Sequence, residues 1–447
     1  MSTSPSHRPP EKSGDDSPRA TGASTVPPRA RLVSPDLARG LMLLGIAIAN
    51  ITSTWLAPVG DEPDLAAAAG GIADGSVYDR IAVVFGALFI HVRGVAMFST
   101  LLGYGFGLLA LSLWRRGFPV SGARAVLVRR YGFLAAFGAV HMLVLYYGDI
   151  MTFYGLTGVI LAFLLPLRDR TLLIIAAVLQ VIALLFMIPM IMFSSAFDMQ
   201  GSLEFGSYGE YVAFGGMTII GSLFMFPVEF AVVAPVIIVG FVAARKGVLT
   251  HPESHLRVLW TAVGVAGAVM VLVGLPWGLS MAGWAPAGWA PRLESVNMIV
   301  GMFTGPGLVA AIALGSLPLQ RRVDAARAAG DEYRPGFFTS ALIALGRRSM
   351  TGYILQSVLC VVFLSSFGLH LVTPGSAAAG TAAGFIVWLV TVVIAVVLER
   401  LGRPGPLEWL HRRLAYGRAG LPRRWSPPVS GRAPIVDDRG EPGRSEN

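Results

Sequence analysis

The chain is poor in three things. It has one cysteine, Cys360, and two lysines, Lys12 and Lys246, among its 447 residues. Its charged fraction is 14%, against roughly 25% in a soluble domain. One cysteine excludes an intramolecular disulfide, a thiolate cluster and a cysteine-rich zinc site. Inside an apolar run, Cys360 reads as a small core hydrophobe. Both lysines lie outside the apolar runs, which excludes a buried Schiff-base lysine. The scarcity of charge excludes an ordinary soluble enzyme. The chain also lacks alternating segments of roughly 10 residues, the pattern of a transmembrane barrel.

Apolar sequence is what the chain has in abundance, with 54% hydrophobic residues and a mean hydropathy of +0.65. Apolar runs of about 18 or more residues recur, each long enough to cross a hydrocarbon core of about 30 Å. They lie near 37–57, 94–114, 131–148, 150–167, 171–195, 215–243, 258–280, 295–318, 349–368 and 378–399. The fold expected is therefore all-α: a polytopic integral membrane protein of about ten transmembrane helices, with the lipid bilayer as its first partner. Ile81–Val92 is apolar but too short to span and reads as an interfacial or re-entrant helix. Residues 1–33 and 417–447 are rich in proline and arginine and read as disordered tails around a helical domain at 34–416. The first apolar run starts too far in for a compact signal peptide.

A net charge of +9 suggests nucleic acid only if its distribution is ignored. Acidic and basic connections alternate instead. Asp61, Glu62, Asp64, Asp74 and Asp79 follow the first run, and Arg115, Arg116, Arg124, Arg129 and Arg130 follow the second. Asp149 is answered by Arg168 and Arg170, then Asp198, Glu204 and Glu210 by Arg245, Lys246 and Arg257. The positive-inside rule then puts both termini in the cytoplasm, with no role for nucleic acid.

Polar groups inside a membrane are costly and are candidates for function. At the start of the first run, Asp36 and Arg39 are three apart and share a helix face, as a cap with an ion pair or as a ligand site. Asn50 lies deeper in that run, suited to an interhelical hydrogen bond or to a reacting carbonyl. Arg93 opens the second run. Gly103 and Gly107 make a small-xxx-small face for close packing, not a phosphate loop, since no strand precedes them. His141, Asp149 and Tyr154 form the densest polar set. Eight residues separate His141 from Asp149, about 12 Å along a continuous helix, so direct pairing is not expected, and Asp149 is assigned to Arg93. Glu229, flanked by Pro227, reads as a proton carrier, a base or a partner of His141. Arg347 and Arg348, followed by Tyr353 and Gln356, suit a membrane anchor or an anion site. His251 and His255 have no third ligand nearby, so no metal site is expected.

Several motifs, taken in order, carry a resemblance: Asp36-x-x-Arg39-Gly40 with Asn50, Gly138-x-x-His141, Gly148-Asp149-Ile150 with Tyr154, Gly346-Arg347-x-Ser349-x-Thr351-x-Tyr353-x-x-Gln356-Ser357, and Gly405-Pro406-Leu407-Glu408-Trp409. On these the chain resembles, over about 31–416, the YeiB-like bacterial membrane family known as domain of unknown function 418. Arg93 stands where that family commonly has lysine, and Gly94 where an aromatic is usual. The family is similar in turn to membrane acyltransferases of the heparan-glucosaminide acetyltransferase type. Those place a reactive histidine soon after the asparagine, whereas here the next histidine is His91.

The resemblance implies a protein of the bacterial inner membrane and, through the acyltransferases, transfer from cytoplasmic acyl-CoA to an envelope or lipid acceptor. No permanently bound cofactor is expected. In this reading Arg39, Arg347 and Arg348 hold the CoA phosphates, His141 is base or acyl carrier, Glu229 or Asp149 supports it, and Asn50 meets the acyl carbonyl. A proton-coupled transporter using Glu229 and His141, and a non-catalytic envelope scaffold, are the alternatives. The oligomeric state is left open.

Overall fold

A computed structural model describes residues 32–59, 64–192, 203–331, 333–422 and 424–426. Most of the two terminal segments read as disordered lies outside the described residues, as do Asp61, Glu62 and Asp198. Among the described residues the chain is helical, with no strand.

Helix α1, Val33–Asn50, runs on into a π turn at Ile51–Trp55. α2 (Val77–Phe89) and α3 (Arg93–Arg115) are two pieces of one long apolar stretch, broken where Val92 takes φ +69°. A β-branched residue is strained there, so tertiary packing rather than local preference sets the break. α4 (Val120–Val144) and α5 (Met151–Phe163) form an antiparallel hairpin. α6 (Asp169–Met192) and α7 (Tyr208–Lys246) follow. α7 has 39 residues, about 58 Å of helix, and so outruns the hydrocarbon core. α8 (Leu256–Val269) continues through a second π turn, Met270–Gly274, into α9 (Leu275–Met281). α10 (Ala290–Val300) leads into α11 (Thr304–Gly315), and the polar α12 (Leu317–Ala328) comes next. α13 (Phe337–Arg347), α14 (Ser349–Phe363), α15 (Ala377–Arg400) and the amphipathic α16 (Pro406–Tyr416) complete the order.

Among the described residues each of the ten apolar runs is mostly helical, and eight helical segments are long and apolar enough to cross a bilayer. The other two, α5 with 13 residues and α14 with 15, fall short of the roughly 20 that a straight crossing needs. The apolar stretch Ile81–Val92 belongs mainly to α2, joined end to end with α3. α4 begins at Val120 rather than near 131, so Arg124, Arg129 and Arg130 lie on helix and not in a loop.

The surface is apolar where a soluble protein would be polar. Ile174, Val178 and Leu185 of α6, Leu223 and Phe224 of α7, and Ile386 and Val393 of α15 are all exposed. Such rows suit lipid tails, which solvate side chains but not backbone, and the helices keep their backbone bonds internal. Inside, small residues set the helix spacing. A Cβ on Gly103 would overlap the backbone of Ile237, and Gly107 lies against Phe241 and Ala244, so the predicted small-residue face is where α3 meets α7.

Candidate functional site

α4 ends within the apolar run. The amides of Leu145 and Tyr146 both donate to the His141 carbonyl, 2.9 Å each, and close the helix. The Asp149 amide donates to the Tyr146 carbonyl and the chain reverses into α5. One Asp149 oxygen then accepts from the Thr152 amide (2.9 Å) and hydroxyl (3.3 Å), capping the first turn of α5. The other oxygen, Oδ1, lies 2.8 Å from His141 Nδ1. The expectation that these two residues cannot pair is therefore corrected. It rested on one continuous helix, and the reversal folds the eight-residue separation back on itself. Gly138 makes room for this, because a Cβ there would strike the Thr152 amide and sit 2.7 Å from Asp149 Oδ2.

The other face of the imidazole meets α14. His141 Nε2 is 2.9 Å from Ser357 Oγ. A carboxylate only accepts, so with Asp149 ionised Nδ1 carries the proton and Nε2 accepts from the serine hydroxyl. His141, Asp149 and Ser357 are 2%, 7% and 4% exposed, so the whole chain of bonds is shielded from water. Tyr353, one turn earlier on α14, packs its ring 5.1 Å from the imidazole, and Tyr146 stands edge-on at 6.3 Å. Gln356 donates to the Leu43 carbonyl at 3.2 Å and ties α14 to α1, while its Oε1 is buried with no hydrogen-bond partner among the described residues. Ser357 was not singled out in the sequence as a site residue. Its only signals are the Gln356-Ser357 pair and a hydroxyl in an apolar helix.

The remaining candidates divide between two other places. Asp36, Arg39, Arg347 and Arg348 converge at the far end of α1 and α14. Arg39 Nη1 is 3.4 Å from Asp36 Oδ1, as the three-residue spacing predicts, and Arg347 Nε is 3.7 Å from the second oxygen. Glu399 of α15, absent from the sequence reading, binds Arg347 at 2.9 Å and Arg348 at 2.6 Å. Arg348 is buried and also donates to the carbonyls of Ala344 and Arg403. Arg39 and Arg347 keep part of their guanidinium surface exposed. Glu408 of α16 caps this end of α14: it accepts from the amides of Met350 (2.7 Å) and Thr351 (3.0 Å) and from the Thr351 hydroxyl (2.5 Å).

Arg93 does not meet Asp149, which corrects that pairing. Its side chain folds back over the end of α2, donating to the carbonyls of Ala87 (3.1 Å) and Leu88 (3.2 Å) and to Asn297 Oδ1 (2.7 Å). A guanidinium there answers the unpaired carbonyls of a helix C-terminus. Glu229 is not a partner of His141 either. It lies on the exposed side of α7 and makes no hydrogen bond or ion pair with another described residue, because the helix turns that position outward. Tyr154 is tied to α3 through the Ser99 hydroxyl (2.9 Å) and the Val95 carbonyl (3.1 Å). Asn50 is half-buried just before the π turn, and its amide makes no hydrogen bond with a described side chain.

Residues 243–418 match a family model described as "Protein of unknown function (DUF418)". That region holds Ser357, Arg347, Arg348 and Glu408, while Asp36, Arg39, His141 and Asp149 precede it. "Uncharacterized protein YxaH" of Bacillus subtilis (strain 168) is 25% identical over 421 residues, covering 85% of this chain and 93% of that protein. "Uncharacterized protein YeiB" of Escherichia coli (strain K12) is 26% identical over 421 residues, covering 87% of this chain and 97% of that one. No solved structure matches the chain. The chain is thus similar to the DUF418 family over its C-terminal helices, and to two uncharacterised bacterial proteins over nearly their whole length.

Proposed function

We propose that the protein is an enzyme of the bacterial plasma membrane, both termini cytoplasmic, that passes an acyl group from acyl-CoA to an acceptor at or across the membrane. The observation that carries this reading is the buried file of Asp149, His141 and Ser357, joined at 2.8 and 2.9 Å. An aspartate that fixes the tautomer, an imidazole that takes a proton and a hydroxyl that attacks are the working parts of nucleophilic acyl transfer. Ser357 Oγ attacks the thioester carbonyl carbon and its proton passes to His141 Nε2. The C–S bond breaks, and the CoA sulfur leaves with that proton, giving an acyl-serine. An acceptor hydroxyl or amine then gives its proton to Nε2 and takes the acyl group, and Ser357 recovers its proton from His141. Arg39 and Arg347 are the residues assigned to the CoA phosphates. Ser357 lies about 12 Å along α14 from Ser349, within reach of a pantetheine arm entering from the arginine end.

The test is transfer of label from radioactive acetyl-, octanoyl- and palmitoyl-CoA to the purified protein. Labelling that Ser357→Ala abolishes and His141→Ala strongly slows supports the reading. Equal labelling in wild type and Ser357→Ala, or none with any donor, overturns it.

A proton-coupled transporter is the second reading, favoured by the broken α2–α3 stretch at Val92 and the π turn of Met270–Gly274 beside it. It predicts substrate flux that collapses with the proton gradient and needs no acyl-CoA. The outward position of Glu229 weakens the Glu229–His141 relay on which it first rested.

A further inference from the structure

Beyond the relay, at the same end of the molecule, the fold forms a cleft of about 50 Å³. Five aromatic side chains line it: Trp55, Tyr147, Phe205, Tyr211 and Phe367. Tyr211 is the hub. Its ring centre lies 5.7 Å from Trp55, 5.8 Å from Tyr147, 5.1 Å from Phe205 and 5.4 Å from Phe367. Its hydroxyl is already spent on the Leu145 carbonyl at 2.9 Å, so the ring is held by its rim. Among the described residues its lining has one carboxylate, Glu204, and neither arginine nor lysine. The backbone is irregular on both sides. Trp55 ends the π turn that follows α1, and His370, also in the lining, takes φ +46°. Such departures recur where a fold must aim a side chain at a ligand.

We infer that this cleft binds an organic ammonium group, of the kind carried by choline or an amine-bearing head group. Aromatic faces present negative charge to a cation, and several rings with a carboxylate at their rim suit a bulky, weakly hydrated ammonium better than any anion. An anionic head group would meet Glu204 with no arginine or lysine among the described lining residues to offset it. Trp55 also stacks on Tyr146, 6.2 Å between centres, and Tyr146 stands against His141, so the cleft adjoins the relay without sharing a residue with it. The inference does not depend on chemistry at Ser357.

The experiment is calorimetric titration of the full-length protein in phosphatidylglycerol nanodiscs with choline and with 3,3-dimethylbutan-1-ol, its uncharged isostere. Saturable choline binding, with the isostere about ten-fold weaker or worse, is the expected result. Trp55→Leu should abolish it, Trp55→Phe should keep part of it, and Glu204→Gln, at an exposed position, should weaken it about three-fold or more. Ser357→Ala should leave it unchanged. Equal binding of choline and its isostere, or no binding of choline, overturns the inference. Repeating the titration in discs containing phosphatidylcholine separates the sources. Competition assigns the cleft to a lipid head group, and unchanged binding assigns it to a free ammonium compound.

Discussion

At the scale of single residues, Asp149 serves two structures at once. One oxygen caps α5 and the other orients His141. Asp149→Asn separates these tasks. The amide oxygen can still cap the Thr152 amide, so the variant should fold, with a melting temperature close to wild type. The imidazole, however, loses the acceptor that fixes its tautomer, and acyl transfer should fall by on the order of 10³-fold or more. Stopped-time labelling of Ser357 beside thermal unfolding checks both halves. A variant that transfers at the wild-type rate removes Asp149 from the mechanism. The sequence made His141 and Asp149 visible as costly polar residues in apolar surroundings, but their pairing was hidden. Nothing between His141 and Tyr147 is a glycine or proline that would announce the end of α4. Ser357 was harder still, because a lone hydroxyl in a helix bonds its own backbone as readily as a partner.

At the scale of elements, apolar runs of about 20 residues are strong signals, and among the described residues each of the ten overlaps helix over most of its length. Their ends were poorly legible because charged residues were read as loop. Arg129 and Arg130 sit on α4 and hold α16, the first through the Leu414 carbonyl at 2.7 Å and the second through the Tyr416 hydroxyl at 2.6 Å. α16 in turn caps α14 with Glu408. Glu408→Ala strips acceptors from two amides and a hydroxyl and should cost about 1–2 kcal/mol. Faster hydrogen exchange at Met350 and Thr351 would register it, and unchanged exchange would count against the cap. The seat of α16 should also respond to pH. His411 is buried against the Arg130 carbonyl at 2.9 Å. Burial, and then the Arg130 guanidinium, lower its pKa from 6.5 to about 4. Docked, the ring stays neutral; undocked, it gains a proton below about 6.5, so the undocked state binds more protons between the two values. Docking is therefore complete above about 6.5 and weakens as pH falls toward about 4. Amide exchange across α16, corrected for its intrinsic pH dependence, should rise over that window, and His411→Gln should flatten the response.

At the scale of the whole molecule, the arginine cluster lies at the N-terminal end of α14 and the relay near its middle. The proposed orientation puts the arginines inside the cell. The lone cysteine makes this simple to test, since Cys360→Ser leaves a cysteine-free chain. A cysteine introduced by Asp74→Cys, at an exposed position between α1 and α2, should react with an impermeant maleimide on intact cells. One introduced by Arg418→Cys, just past α16, should react only after the membrane is opened. The reverse pattern would invert the molecule and move the donor side with it.

The clamp made by α16 also has a meaning in time. His141 and Ser357 are 216 residues apart, and Glu408 and His411 are synthesised after both. Until they emerge, α4 and α14 are in place but unfastened at their far ends, and the distance between imidazole and hydroxyl is not yet fixed. The last helix among the described residues thus serves as the latch of assembly. A nascent chain lacking it carries Asp149, His141 and Ser357 without the contacts of Glu408 and His411, so under the proposed function transfer should appear only once synthesis has passed them.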